Sequence, residues 1–514
     1  MRPLAMLLVG LASLLVALPA IVTASPTTIH MGRHDRIVIV GGGPAGVHYA
    51  TLLAKKGFTK ITIMEASGEI GGKSNTITDP LGYPHEMGTC YATSLYQPVF
   101  HLLKEYDPTN RLVPFLPGVK GHTWVNRDAI PTGDYNAYVL QLAAQVVGPL
   151  PVQQLIAAVN DGFARYIDVH TSIFGVYDYG LPPQPTNNWA RVSMSGLDFL
   201  KQNNLLVLEG FFRFVFQQQG YGPLDTAPAF YMLWWVHPEM IRQRQIADSQ
   251  GKPWTFILSK GYQSLWKAMV NAYPNQIKVM YNAQVFHIMR EEAYVYIALF
   301  KNGEPDVIFA DHIVYAVDLS RNAPIPTDMY GIEKPLFGAE FASSAFVVTL
   351  FDSDAHQNES VSQWWPMRGV GRTEGRLQLT RNSRLAIFNP MPAHGSPADP
   401  VPTDWGVNAT GRQRRVAYQF YNRGVRSSDA ATSQRQLLAD LNEAKFSNPK
   451  LLGQTVHNYF PRYNITQLQQ GLVWRVWNNQ GMYRTTWIGS SVSFESVLDV
   501  VVYNNRLIQR VHMT

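Results

Sequence analysis

The residues best placed to do chemistry sit close together near the start of the chain. Gly41-Gly42-Gly43-Pro44-Ala45-Gly46 has a G-x-G-x-x-G spacing. In such a turn Gly41 permits the tight reversal, Gly43 lets backbone approach a diphosphate, and Gly46 allows a helix to pack closely on a strand. The flanks make the spacing informative. "RIVIV", Arg36 to Val40, is a short apolar run of the kind buried on both faces of a sheet. After the glycines, Ala45, Val47, Ala50, Leu53 and Ala54 recur at helical spacing, and Lys55-Lys56-Gly57 reads as the helix end. "KITIME" is a second buried strand ending at Glu65, 19 residues beyond Gly46. A carboxylate there can accept hydrogen bonds from a ribose diol. Together these features predict a dinucleotide site, with phosphates at a helix N-terminus whose free N–H groups favour anions.

The next glycines, Gly71 and Gly72, precede Lys73. Such a doublet soon after the acidic residue resembles the two-glycine pattern of large FAD oxidoreductases. No second G-x-G-x-x-G follows a strand; "GVGRTEG" at 369–375 lacks one. A single site suits FAD without a nicotinamide partner. In that pattern the strand around "QVFHI" would offer backbone to the adenine, with Val285 as the candidate. No His, Cys and acid cluster has metal-ligand spacing, and no G-x-S-x-G occurs. His48 and His85 are isolated and read as structural.

Stepping outward, helical periodicity covers "SLYQPVFHLLKEY", "DYNAYVLQLAAQVV", "QLIAAVNDGFARYIDV", "GLDFLKQNNLLVLEGFFRFVFQ" and "QRQLLADLNEAKF". Strand patterns occupy "IKVMYN", "QVFHIMRE", "AYVYIALF" and "HIVYAVD". "SPTTIHMGRHD" is expected as a polar lead-in. The last block, "YRTTWIGSSVSFESVLDVVVYNNRLIQRV", reads as strand, turn and helix.

The chain has 514 residues, of which only 16 % are charged, against about 25 % in an average domain. That favours a large interior and apolar cavities. The net charge of +6 is not concentrated in any Lys/Arg block, so nucleic acid is not an expected partner. Residues 1–24 combine Arg2, an apolar core from Leu4 to Leu18 and a small-residue site at Val22-Thr23-Ala24. They read as a secretory signal peptide, and no later window is apolar enough to span a bilayer. Cys90 is the sole cysteine, which rules out an intrachain disulfide. Asn358, Asn408 and Asn464 head N-x-S/T acceptors for glycosylation.

"GGGPAG", "MEAS…GGK", "YPHEMG", "GYGPLDTAPAFY" and "IGSSVSFESVLDVVVY" together resemble the amine-oxidase-like flavoproteins, and more narrowly the polyenoic fatty acid isomerases. The likeness implies an α/β fold. It would have a Rossmann-type FAD-binding domain assembled from discontinuous segments, a mixed-sheet substrate domain and a helical cap. The implied division is a signal peptide at 1–24 and FAD-binding parts at 34–120, 255–330 and 471–514. The substrate and helical cap region would take 121–254 and the substrate domain 331–470. FAD would be non-covalent, touching Gly41, Gly43, Ala45, Gly46, Glu65, Gly71, Gly72 and Lys73. Glu86, Gly88, Gly489, Phe494 and Val497 would lie near its ring.

The implied substrate is a long-chain polyunsaturated fatty acid. Its methylene-interrupted double bonds would be moved into conjugation by hydride abstraction to, and return from, FAD. A methylene between two double bonds is a good hydride donor, because the cation left behind is delocalised. Aromatic faces stabilise such a cation by about 0.5–2 kcal/mol each. That role falls to Tyr221, Phe230 and Trp234, with Tyr231 and Trp235 lining the chain. Lys120 is the expected carboxylate anchor, with Arg127 competing. Ser490 departs from the acidic residue common after the corresponding glycine. Two other readings are a secreted FAD-dependent amine or L-amino-acid oxidase, and a lipid carrier with a vestigial flavin site.

Overall fold

The computed structural model describes residues 28–114, 122–124, 135–185, 187–320, 325, 327–354, 361–364, 374–382, 411–424 and 430–514. Its first layer is a five-stranded, all-parallel sheet in the order Ile277–Met280, Ile61–Met64, Ile37–Val40, His312–Tyr315, Thr485–Trp487. Ile37 pairs with Ile61 on one side and His312 on the other. Ile37, Ile39, Ile63, Ile313 and Val314 are buried, as continuous apolar runs require when both sheet faces are covered. The helix Pro44–Lys56 follows the first strand and ends at Gly57, whose φ of 104° is left-handed. The helix Val497–Leu507 packs beside it, where Asn504 Nδ2 donates to the Ala45 carbonyl at 3.0 Å.

A separate three-stranded antiparallel sheet, Ala283–Arg290, Val295–Lys301 and Glu304–Ala310, leaves this layer where Ala283 N donates to Glu65 O at 2.9 Å. The second layer is a six-stranded mixed sheet in the order Lys450–Arg462, Ala342–Asp354, Arg412–Tyr421, Leu377–Arg381, Val361–Trp364, His122–Trp124. Its pairs are antiparallel except the last, which is parallel. Helices between Tyr135 and Ser249 form the third region. The α/β class with a dinucleotide-type sheet, a mixed substrate-side sheet and a helical region is thus the fold observed.

Three local expectations need correcting. The helical run at 196–217 is broken into Gly196–Gln202, Leu206–Leu208 and Glu209–Val215, because Asn204 adopts a left-handed φ of 55° that no helix continues through. The polar lead-in contains a strand, Ile29–Met31, which pairs in parallel with Val511–Met513 at the far end of the chain. The late helix starts at Ala430, ahead of "QRQLLADLNEAKF". Among the described residues no single helix is long and apolar enough to cross a membrane.

Candidate active site

A cavity of about 1650 Å³ runs along the carboxyl ends of the parallel strands and on beneath the mixed sheet. Ligands of open α/β sheets bind at such an edge, and single-ligand pockets usually hold only about 300–1,000 Å³. Gly41, Gly43, Ala45, Glu65 and Gly72 line one end. Gly41 has φ 110°, and its N–H donates to Met64 O at 2.8 Å. A Cβ at Gly46 would overlap the Gly41 carbonyl oxygen, so that glycine serves helix–strand packing and does not line the cavity. The Glu65 carboxylate accepts from Gly42 N and Ser67 N, both at 2.8 Å, which fixes it at the cavity wall.

Gly43 is different. Its φ of −75° suits any residue, and a Cβ there would meet only Gly72 Cα, at 3.8 Å. Neither strain nor protein packing calls for glycine. The helix it starts has no side-chain cap and no acid in its first turn. An uncapped N-terminus behind open space that a Cβ would fill fits a phosphate group entering from the cavity.

Further along, Gly72 and Lys73 meet Gly489, Ser490 and Val497 across the cavity. Lys73 Nζ donates to both Glu495 oxygens, at 2.7 and 2.8 Å, and to Ser490 Oγ at 3.2 Å. Glu495 also accepts from Phe460 N at 2.7 Å. Gly88 lines the wall, and its close approach to the Lys73 carbonyl leaves no room for a Cβ. Val497 begins a second helix aimed at the cavity, capped by Ser496. Gly71 lies just behind, with φ 142° and Gln263 Cγ within 2.9 Å of a notional Cβ. Glu86 is buried one layer back, accepting from Tyr262 N (2.7 Å) and Thr76 Oγ1 (2.6 Å). Burial raises its carboxyl pKa to about 7, although Arg381 opposes the shift. Val285 is buried two residues past the contact with Glu65 and does not line the cavity.

The far half is aromatic. Gly220 has φ 84°, and a Cβ there would overlap the Phe420 ring. Glycine at this point therefore lets the chain deliver Tyr221 to the wall, where it stacks on Tyr459 (5.9 Å, 7°). Trp235 also lines the wall and stacks on Phe494 (5.4 Å, 8°), which lies behind it, fully buried. Phe230, Tyr231 and Trp234 do not line the cavity. The helix Ala229–Trp235 turns them into the core, because one helical face cannot present all four of its rings. Phe230 packs on Trp474 at 5.4 Å, the Tyr231 hydroxyl accepts from Tyr463 N at 2.9 Å, and Trp234 Nε1 donates to Asp499 Oδ1 at 3.0 Å.

Tyr91, Phe346, Tyr418, Phe420 and Tyr459 complete the wall. The signal for the last three was alternation: Tyr418 and Phe420, like His457 and Tyr459, fall two apart on strands. Register then gathers them, since Phe346 faces Phe420 on one side and His457 on the other. His457 Nε2 donates to the Met87 carbonyl (2.8 Å), and burial lowers its pKa to about 4. His48 and His85 do not line the cavity and are buried. Lys120, Arg127, Asn358 and Asn408 lie outside the described residues, as do residues 1–24. Asn464 is exposed, and its Oδ1 caps the helix Ile465–Gln469.

A glycine turn at the edge of a parallel sheet, facing an aromatic chamber under a mixed sheet, defines a two-lobed flavoprotein oxidoreductase fold. The chain belongs to the flavin containing amine oxidoreductase family, whose model matches residues 44–373. Among named relatives, it is 27 % identical over 217 residues to a polyenoic fatty acid isomerase of Ptilota filicina. That match spans 40 % of this chain and only 42 % of the relative. The crystal structure of a CLA-producing fatty acid isomerase from P. acnes is similar in fold, with TM-score 0.67 and 17 % identity over 93 % of this chain and 99 % of that one. A wild-type putrescine oxidase with putrescine bound is similar at TM-score 0.57 and 13 % identity, over 93 % and 99 % of the two chains.

Proposed function

We propose that this protein is an FAD-dependent isomerase that brings the methylene-interrupted double bonds of a polyunsaturated fatty acid into conjugation. The observation that carries the reading is the continuity of the cavity: a phosphate-ready glycine turn at one end opens directly into a chamber walled by Tyr91, Tyr221, Trp235, Phe346, Tyr418, Phe420 and Tyr459. The names of the Ptilota filicina and P. acnes relatives support it. An ammonium substrate would want a free carboxylate near the chamber, and Glu495 is already held by Lys73 and Phe460 N.

Bound along Gly41–Ala45, Glu65 and Gly72, the flavin would supply an acceptor that takes a hydride from the methylene and returns it to another carbon of the same chain. The chain's own residues bind, orient and shield. Tyr221 and Tyr459 offer ring faces to a delocalised cation, and Trp235 with Phe346 excludes water that would trap it. No group is oxidised overall, so no second nucleotide or oxygen is consumed. Non-covalent attachment suits Cys90, whose thiol burial pushes up to about 11, leaving a poor nucleophile. We also propose entry into the secretory route after removal of residues 1–24, with glycan at Asn464 as one marker. A mature N-terminus near Ser25 and a glycosidase-sensitive mass test this.

The deciding experiment adds arachidonate or eicosapentaenoate to the yellow protein, follows the ultraviolet absorbance of conjugated products, and monitors peroxide in parallel. Conjugation without peroxide is expected, with FAD released by acid precipitation. Peroxide on adding an amine or amino acid, with no conjugated product, would replace the isomerase by an oxidase. Silence in both would make the chain a carrier.

A further inference from the structure

Residues 135–160 contain no Asp, Glu, Lys, Arg or His, in a chain that is 16 % charged. The structure folds them into the helix Tyr135–Val147 and the start of the helix Val152–Phe174, which meet at a bend of 84°. Gly148, with φ 89°, and the prolines at 149 and 151 stiffen the corner. Around it Val146, Val147, Leu150, Val152 and Ile156 are all exposed, Val152 by 58 %. Single exposed apolar side chains are ordinary; five about one turn without a charge among them form a patch that wants a partner.

The corner is joined to the cavity on two sides. Its first helix begins beside Asn136, which lines the cavity. The helix Pro238–Ser249 runs antiparallel to Val152–Phe174. His237 meets His170 at 5.7 Å, while Arg244 lies over Phe211, which itself meets Phe163. The far end of that helix therefore points toward Val152. It carries Ile246, 54 % exposed, together with Arg244 and Asp248, which pair at 3.6 Å and line the cavity; Lys252, three residues beyond the helix, lines it too.

We propose that this apolar corner, with Ile246, seats in the interface of a lipid bilayer, so that the cavity opens against the headgroups at Arg244 and Lys252. Apolar side chains below and cations above match the layering of an interfacial helix. A polyene held in the bilayer would then enter the chamber without crossing water. The purpose of the surface rests on the lipid-substrate reading, but its existence is tested without it.

Flavin-loaded protein is floated with fatty-acid-free phosphatidylcholine vesicles containing a minority of phosphatidylserine. The native chain should float, and Val147→Glu and Val152→Glu should each lower partitioning about tenfold. Both variants should convert albumin-delivered arachidonate at the native rate but lose rate on arachidonate embedded in vesicles. A native chain that does not float, or variants that float equally well, would overturn the proposal. So would a native dimer dissociated by Val152→Glu, which would assign the corner to a second copy. Failure of the isomerase reading shows instead as no conjugated product by either delivery, with flotation unaffected.

Discussion

The turn at residues 41–46 is made of backbone, whereas the chamber around Tyr221 is made of side chains. In the turn the hydrogen bonds made by the first two glycine N–H groups lie within about 25 residues of sequence: Gly42 N reaches Glu65, and Gly41 N reaches Met64. In the chamber Tyr91, Tyr221, Phe346, Tyr418 and Tyr459 arrive from five separate segments through strand register and helix packing. Rigid, local architecture suits a ligand with fixed phosphates. A wall of independent rings suits a bent, featureless chain that offers little to hydrogen-bond. The two halves should therefore fail differently when altered.

The largest effects separate two glycines three residues apart. Gly43→Val puts its side chain into open space, so folding should survive while flavin retention falls by about a hundredfold or more, equivalent to about 2.7 kcal/mol. The purified variant should be colourless yet melt cooperatively near the apo native chain. Gly46→Ala drives a Cβ into the Gly41 carbonyl, so the fold itself should lose about 3 kcal/mol. Equal flavin loss and equal melting temperatures in the two variants would show that the turn does not divide labour in this way.

Behind the wall, Glu86 probes the layer the two halves share. Burial raises its carboxyl pKa from 4.5 to about 7, so the folded state holds the proton more tightly than the unfolded one. Stability from this group is therefore full below about pH 4.5 and declines as pH rises to about 7. Glu86→Gln carries no such slope. The stability of the variant relative to the native chain should climb by on the order of 3 kcal/mol across that window, read by denaturant titration at several pH values. A constant difference would mean that Glu86 is ionised throughout.

In the chamber, effects should be smaller and kinetic. Tyr221→Ala removes a ring from the wall but leaves the turn intact, so kcat/KM for a polyenoic acid should fall about tenfold, worth about 1.4 kcal/mol, with flavin retained. Loss of flavin from this variant would mean that the halves are less separable than their geometry suggests.

The same contrast explains what could be read from the residues alone. The strands at 37–40 and 61–64, the helix between them and Glu65 follow from periodicity and spacing, because local sequence decides local backbone. Of the residues the family likeness puts near the ring, Gly88, Gly489 and Val497 line one cavity with Lys73, while Glu86 and Phe494 lie behind its wall. Nothing local marks Glu495 as the partner of Lys73, 422 residues away. Tyr418, Phe420, His457 and Tyr459 show strand alternation, but which face meets the cavity depends on pairing with residues 342–354, which no single segment encodes. Aromatic richness at 221–235 marks a segment that borders the cavity at Tyr221 and Trp235, but it does not choose among the rings.

That choice can be tested on neighbours. Trp234 and Trp235 are adjacent, and a helix sends consecutive side chains about 100° apart. Trp235 reaches the cavity wall; Trp234 is buried and donates to Asp499, whose carboxylate also accepts from the Tyr179 and Ser496 hydroxyls. Trp234→Phe deletes one donor to a buried carboxylate that keeps two others, so it should cost about 1–2 kcal/mol of stability and leave kcat/KM within about twofold. Trp235→Phe keeps a ring against Phe494 but shortens the wall, and should alter substrate selectivity by chain length while stability changes less. If Trp234→Phe proved the more damaging to turnover, the cation-stabilising face would lie on the buried side of the helix, and the chamber would have to extend past Phe494 toward Asp499.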